Sequence, residues 1–263
     1  MTEPLVQIEN YSFDFGRITV LDHVNLTLEQ GEFLSIVGPN GAGKTTLLKC
    51  LDRILPGGRG LIMIKGKHLE TYSQKDLAKW IGYVPQASGP IPPFTVEEFV
   101  RMGRYPYRGL FASLTREDEA AVMDAVEVTG VREFSSRPLT ALSAGERQKV
   151  YIAAALAQET GLLLLDEPAT FLDPKHQDEI YAVLLRVNRE RGVTILQVTH
   201  DLNQAVLVSR RVVALVRGSV VFSGPGAELM DNRILERIYQ KSFRFVTDPQ
   251  SGMRLVLPEV ARG

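Results

Sequence analysis

Cysteine is nearly absent from this 263-residue chain, and Cys50 stands alone. A single thiol forms no internal disulfide and no Cys-rich zinc site, so the composition predicts a reducing compartment. An excess of either charge is also missing: 30 Lys and Arg face 31 Asp and Glu, a net charge of −1. That balance gives no chain-wide attraction for a polyanion, and no nucleic-acid partner is expected. Residues 1–10 have no basic start and no apolar core, which predicts no signal peptide. Long apolar runs are lacking too. The longest uncharged stretch, residues 80–96, holds Pro85, Pro90, Pro92 and Pro93 and cannot cross a bilayer as a helix. No internal repeat or low-complexity tract is visible. What is present, 44% apolar and 23% charged residues, is ordinary for a folded globular protein with a substantial core.

Periodicity gives the organisation. Residues 5–8 and 20–28 alternate apolar and polar side chains, as half-buried antiparallel strands do. Residues 33–37 form a compact apolar run ending in Gly38, a buried strand feeding a loop. Residues 45–55 place Leu47, Leu48, Leu51 and Leu55 at helical spacing before Pro56-Gly57-Gly58. Strands are expected at 61–64 and 81–84. The character changes between 89 and 142, where helices are expected at 94–103 and 116–130 with no strand between. Strand and helix then alternate: 162–165, 175–191, 193–198, 202–209 and 212–216. This pattern predicts an α/β fold with a largely parallel sheet and an inserted helical region. From Ile234 onward one helix and two short strands, 244–246 and 254–256, are expected.

Two stretches carry chemistry. Gly38-Pro39-Asn40-Gly41-Ala42-Gly43-Lys44-Thr45 matches the G-x-x-x-x-G-K-[ST] phosphate loop and lies between an expected strand and helix. Its glycines let successive N–H groups face phosphate oxygens, and the helix N-terminus adds its positive dipole end. Lys44 is expected to reach the β- and γ-phosphates and the Thr45 hydroxyl to ligate Mg²⁺. Downstream, Leu162 to Leu165 deliver Asp166 and Glu167 at a strand exit. Asp166 is expected to hold Mg²⁺, directly or through water, and Glu167 to polarise the attacking water as general base. Alone, such an acid pair is also a common strand-ending turn.

Four further stretches stand in order around these: Tyr83-Val84-Pro85-Gln86, Leu142-Ser143-Ala144-Gly145-Glu146, Phe171-Leu172-Asp173 and Thr199-His200-Asp201. With them the chain resembles, over nearly its whole length, the nucleotide-binding subunit of ATP-binding cassette transporters. They are similar to that family's Q-loop, signature, D-loop and switch. The resemblance implies one domain over 1–263 with a P-loop NTPase, RecA-like core. That core and an N-terminal antiparallel β subdomain would take 1–88 and 143–240, an inserted α-helical subdomain about 89–142, and an appendage 241–263.

It also implies ATP and Mg²⁺ as ligands. Phe15 would stack on adenine, with Tyr11 the weaker candidate, and residues 38–45 with Thr46 would hold the phosphates. Gln86 would touch Mg²⁺ or the attacking water, and His200 would hydrogen-bond the γ-phosphate. Ser143, Gly145, Glu146 and Asp173 would face the ATP of a second copy in a head-to-tail dimer. Ser143 and Glu146 equally form a capping box opening the helix expected at 149–158. The usual signature has glycine at Ala144 and commonly glutamine at Glu146. Residues 97–111 hold Arg101, Arg104 and Arg108 with Tyr105, Tyr107 and Phe111, a composition that suits either a protein-binding surface or a packed helix and loop.

In the family this region receives a membrane permease. The wording around Gly103-Arg104-Tyr105-Pro106-Tyr107 and Thr115-Arg116-Glu117-Asp118 is similar to ATPases importing ferric siderophores, haem and cobalamin. The resemblance thus implies a peripheral subunit on the cytoplasmic side of the membrane, with permease subunits as partners and an extracytoplasmic binding protein acting indirectly. An exporter ATPase, or a soluble cassette protein acting on nucleic acid or ribosomes, is the alternative.

Overall fold

The computed structural model describes residues 3–86, 89–109, 112–249 and 252–257. Its elements begin with β1 (Val6–Phe15), β2 (Ile18–Leu28), β3 (Phe33–Val37), α1 (Lys44–Leu51), β4 (Arg59–Ile64), β5 (Lys67–His68), α2 (Gln74–Leu77) and β6 (Ile81–Val84). They continue with α3 (Val96–Met102), α4 (Arg116–Thr129), α5 (Ala144–Ala157), β7 (Leu162–Asp166), α6 (Pro174–Arg191), β8 (Thr194–Val198), α7 (Leu202–Val208) and β9 (Arg211–Val216). Last come β10 (Ser219–Gly224), α8 (Gly226–Leu229), α9 (Asn232–Tyr239), β11 (Arg244–Thr247) and β12 (Arg254–Leu257). The chain forms two compact units, one from residues up to 68 and from 196 onward, the other from 69–195.

In the first unit, β1 and β2 pair antiparallel from Val6 opposite Leu28 to Phe15 opposite Ile18, within a sheet ordered β2-β1-β4-β5. Alternation places Val6 and Ile8 in the core together with Leu21, Leu26 and Leu28. β3 is buried at every residue and runs parallel to β9, with Leu34 opposite Arg211 and Val37 opposite Ala214. A strand buried throughout, and apolar but for Ser35, is what a parallel sheet covered on both faces requires. Leu202, Ala205 and Val206 of α7 join Leu229, Leu235 and Ile238 in the apolar layer over Val37 and Ala214. β10 returns along β9 through Arg217 and Gly218, with φ of 47° and 81°, a two-residue turn with left-handed backbone at both positions. No strand is expected at β10 from the sequence, because an arginine is an unusual first residue for that turn.

In the second unit, β6 lies parallel to β7, with Ile81 opposite Leu162 and Val84 opposite Leu165. α3, α4 and α5 share a core that includes Val96, Val100, Val122, Val126, Leu139 and Val150. Each begins with a reciprocal capping box, Thr95 with Glu98, Thr115 with Asp118 and Ser143 with Glu146. Gly103 permits the end of α3 to press on α5, since a Cβ there would stand 2.2 Å from the Ala154 carbonyl oxygen.

Many elements follow the expected spacing, but β1 runs to Phe15 rather than stopping at 8, and α3 starts at Val96 rather than 94. β5, α2 and α8 lie where no element is expected, and two helix ends differ further. α1 stops at Leu51 rather than at 55: Arg53 turns left-handed, and the Leu55 N–H donates back to the Lys49 carbonyl at 3.0 Å. α5 begins at Ala144, five residues before the apolar spacing announces it, because its cap is polar.

Candidate functional site

The candidate residues fall in both units. In the first, β3 delivers the chain into the phosphate loop, and α1 starts at Lys44. Gly38, Gly41 and Gly43 have φ of 143°, 77° and 97°. At Gly38 a Cβ would lie 2.0 Å from the Leu215 carbonyl oxygen, and at Gly43 2.7 Å from that of Val20, so both positions need glycine for close approach as well as for φ. Lys44 is only 6% exposed, and its ammonium donates to the carbonyls of Gly38 at 2.8 Å and Pro39 at 3.0 Å. The Leu47 N–H donates to the Gly43 carbonyl at 2.9 Å, and the Gly218 N–H to that of Ala42 at 3.0 Å. Asn40 and Gly41 lie at the loop's exposed edge, and Thr45 and Thr46 are half-buried in the first turn of α1. The loop is thus an ordered, glycine-dependent turn at a helix start.

Phe15 ends β1 about half exposed, held edge-to-face on Phe13 with ring centroids 5.1 Å apart. Tyr11 is buried, its ring against Gly58 and its hydroxyl donating to the Gly57 carbonyl. Of these two aromatics, Phe15 is the one with a ring surface to offer. His200 is exposed, between β8 and α7. The Asp201 carboxylate accepts the Gln204 N–H at 2.9 Å and caps α7.

In the second unit, β7 ends in Asp166, 3% exposed, whose carboxylate accepts the Tyr83 hydroxyl at 3.3 Å. Glu167 follows with φ of 51°, a left-handed backbone that a non-glycine residue adopts at a cost of about 1 kcal/mol or more. Strain of that kind concentrates at functional sites. Its carboxylate accepts the Thr170 hydroxyl at 2.9 Å and faces the Gln86 amide at 3.5 Å. Asp166, Glu167 and Gln86 are therefore neighbours. Tyr83 and Thr170 also orient the two acids. Tyr83 lies in the stretch already singled out, and nothing in its spacing announced the contact.

Ser143 accepts the Glu146 N–H at 3.2 Å, and Glu146 accepts the Ser143 N–H at 2.7 Å. The Ser143 N–H, and after it the Ser143 hydroxyl, hold the Glu146 carboxyl below its usual range. Ala144 is exposed at the first position of α5. Gly145 is buried, and a Cβ there would meet the His176 ring at 2.4 Å, so this glycine lets α5 start against α6. Asp173 caps α6 and pairs with the His176 ring at 2.6 Å, which lowers its pKa. Phe171, φ 63°, is 91% exposed.

The Arg-and-aromatic stretch divides. Arg104 is buried, donating to Asp118 at 2.8 Å, to the Ala157 carbonyl at 2.8 Å and to Glu159 at 2.7 Å, with its guanidinium over the Tyr107 ring. It is a packing residue. Replacing it by Met is expected to cost about 3 kcal/mol, since it strands the buried Asp118 carboxylate. Thermal unfolding checks this: Tm should fall by several degrees, and an unchanged Tm would show that the pair contributes nothing. Arg101 pairs with Glu97 and Glu119. Tyr105 is exposed; Phe111, like residues 258–263 of the appendage, lies outside the described residues. Beside this stretch is a groove of about 400 Å³, lined among others by Tyr83, Gln86, Ile91, Phe99, Met102 and Tyr151.

Thr45, Gln86 and Asp166 offer a hydroxyl, an amide oxygen and one carboxylate, all hard oxygen donors. Among the described residues no group of three or more His, Cys, Asp or Glu could hold a metal ion. Thr45, Gln86 and Asp166 each offer the kind of hard oxygen donor that suits Mg²⁺, an ion that keeps waters and takes most of its remaining ligands from phosphates.

Comparison with known proteins bears on the family of the chain. A family model described as ABC transporter matches residues 21–170. The chain is 38% identical over 260 residues to the ferric enterobactin transport ATP-binding protein FepC of Escherichia coli, covering 98% of this chain and 96% of the relative. It is 41% identical over 249 residues to the iron(3+)-hydroxamate import ATP-binding protein FhuC of Bacillus subtilis, covering 95% and 93%. Among solved structures, an inward-facing transporter described as metal-chelate type superposes with a TM-score of 0.84 at 26% identity, covering 98% of this chain and 99% of that one. A dimeric ATP-binding cassette bound to ADP and phosphate gives 0.73 at 31% identity, over 84% and 98%.

Proposed function

The chain belongs to the ABC transporter family and is one of its ATP-hydrolysing subunits, and on that premise we propose that it powers import of an iron–siderophore, haem or cobalamin-type metal chelate through a membrane permease. The names of its relatives, among them a hemin import ATP-binding protein of Streptomyces coelicolor, support the siderophore and haem members of that class. Phe15 stacks on adenine, residues 38–46 cradle the phosphates, and Lys44 reaches the β- and γ-phosphates. Thr45, Gln86 and Asp166 are the residues that hold Mg²⁺, which when bound neutralises charge on those phosphates. Glu167 orients the attacking water and takes its proton, while Thr170 keeps the carboxylate facing one way. His200 donates a hydrogen bond to the γ-phosphate. Ser143, Gly145, Glu146 and Asp173 close on the nucleotide of a second copy, in the head-to-tail manner that the resemblance to the family implies.

One observation carries the coupling. Gln86 lines the 400 Å³ groove beside α3 and α5 and faces Glu167 at 3.5 Å. A permease segment seated in that groove, against Phe99, Met102 and Tyr151, presses on the same loop that touches the base. The helical segment 89–142 is thus the permease-facing subdomain. No described helix is long and apolar enough to cross a membrane. In this reading the permease holds the subunit on the cytoplasmic face, and a binding protein outside hands over the chelate.

Affinity purification of the tagged Glu167→Gln chain from detergent-solubilised native membranes tests this. A polytopic membrane protein in stoichiometric amount is expected, together with an ATP-dependent dimer. Recovery only with ribosomes or nucleic acid, and no membrane protein, overturns the transport reading while leaving the ATPase standing.

A further inference from the structure

The C-terminal strands meet the helix that follows His200. Asn203, the second residue of α7, grips the backbone of Val256 in β12 at two points: its amide donates to the Val256 carbonyl at 3.0 Å, and its carbonyl oxygen accepts the Val256 N–H at 2.7 Å. β11 and β12 pair only with each other among the described strands. The asparagine therefore satisfies the edge of β12 that a third strand would otherwise fill. Phe245, Met253 and Val256 pack on the apolar layer that contains Leu202, Ala205 and Val206 of α7.

On its other side, His200 is tied to β3. The Thr199 N–H donates to the Ile36 carbonyl at 3.1 Å, and the Thr199 hydroxyl accepts the Asp201 N–H at 3.1 Å. Ile36 is two residues before Gly38, so one flank of His200 is tied to the strand that feeds the phosphate loop and the other continues into α7. A seven-residue helix holds no orientation by itself; tertiary contacts must supply it. The same C-terminal segment also borders the phosphate loop. Tyr239, the last residue of α9, lines a cavity of about 270 Å³ with Pro39, Asn40 and Gly41. Burial pushes its hydroxyl up to about 12, and the nearby Gly38 backbone opposes that shift.

We propose that Asn203 is a positioning residue for ATP hydrolysis: by clamping α7 to β12 it fixes the first turn of that helix and, with it, His200. This rests on the reading of His200 as the γ-phosphate partner. A side chain displaced by a fraction of an ångström from its reacting partner loses rate without losing ground-state binding.

The test is steady-state ATP turnover by the full chain. Asn203→Ala is expected to lower kcat about tenfold with KM for ATP within about twofold. Asn203→Asp, which still accepts the Val256 N–H but cannot donate, should fall between. In a His200→Ala background, Asn203→Ala should cost nothing further, because both act through one side chain. An unchanged kcat in Asn203→Ala, or a loss that multiplies with that of His200→Ala, overturns the proposal. So does a loss that tracks a falling Tm and a rising KM, which is general loosening. Full turnover in His200→Ala overturns the reading of His200 itself. That outcome is distinct from failure of the clamp alone, where His200→Ala is slow and Asn203→Ala is not.

Discussion

Glu167→Gln is expected to lower ATP turnover by roughly a thousandfold while leaving ATP affinity within a few-fold. The substitution keeps shape and size, and the Gln carbonyl oxygen can still accept the Thr170 hydroxyl that now binds Oε2 at 2.9 Å. The left-handed backbone at this position is equally open to Gln, so the loop has no reason to move. What disappears is the ability to take a proton from water at neutral pH. The enzyme should therefore bind ATP, close with a second copy and stay closed, which single-turnover kinetics and size-exclusion chromatography with ATP both read. Near-normal turnover would remove Glu167 from the general-base role and turn attention to Asp166. Loss of ATP binding instead would mean that the acid is structural, since an isosteric change should not disturb the phosphate loop.

How legible this was in the sequence depends on the residue. β3 and β6 were readable to the residue, because an apolar run bounded by a glycine or a proline has one sensible fold. The phosphate loop was readable because its glycines answer to steric limits, visible as the Cβ clashes at Gly38 and Gly43. Other features needed three dimensions. Arg104 reads like a surface residue beside exposed tyrosines, yet Asp118 and Glu159, 14 and 55 residues away, fold over it. The groove beside α3 draws on β6, α3 and α5 at once. Short hairpins built on Arg217-Gly218 and Lys65-Gly66 were hidden, since a basic residue at the first left-handed position is not a usual turn signal. The Asn203 clamp joins a motif to a tail 53 residues later that carries no motif of its own.

Lys44→Met should weaken ATP binding by about 100-fold or more, the loss expected when charge-assisted hydrogen bonds to phosphate are removed. Met is the informative replacement. The Lys44 side chain is buried, and an unbranched apolar stem of similar length preserves its packing at the start of α1. The ammonium donates to the Gly38 and Pro39 carbonyls at 2.8 and 3.0 Å, so it also ties the loop together. Two explanations of a weakened site then compete, loss of a phosphate partner and collapse of the loop. They differ in their dependence on the ligand. A lysine that reaches the β- and γ-phosphates contributes more to ATP than to ADP, so its removal should narrow the difference between the two affinities. A collapsed loop forfeits both alike, because its N–H groups serve every phosphate. Isothermal titration of the variant with ATP and with ADP separates them. Equal losses would assign Lys44 to loop architecture, and unchanged ATP affinity would remove residues 38–46 from the nucleotide site.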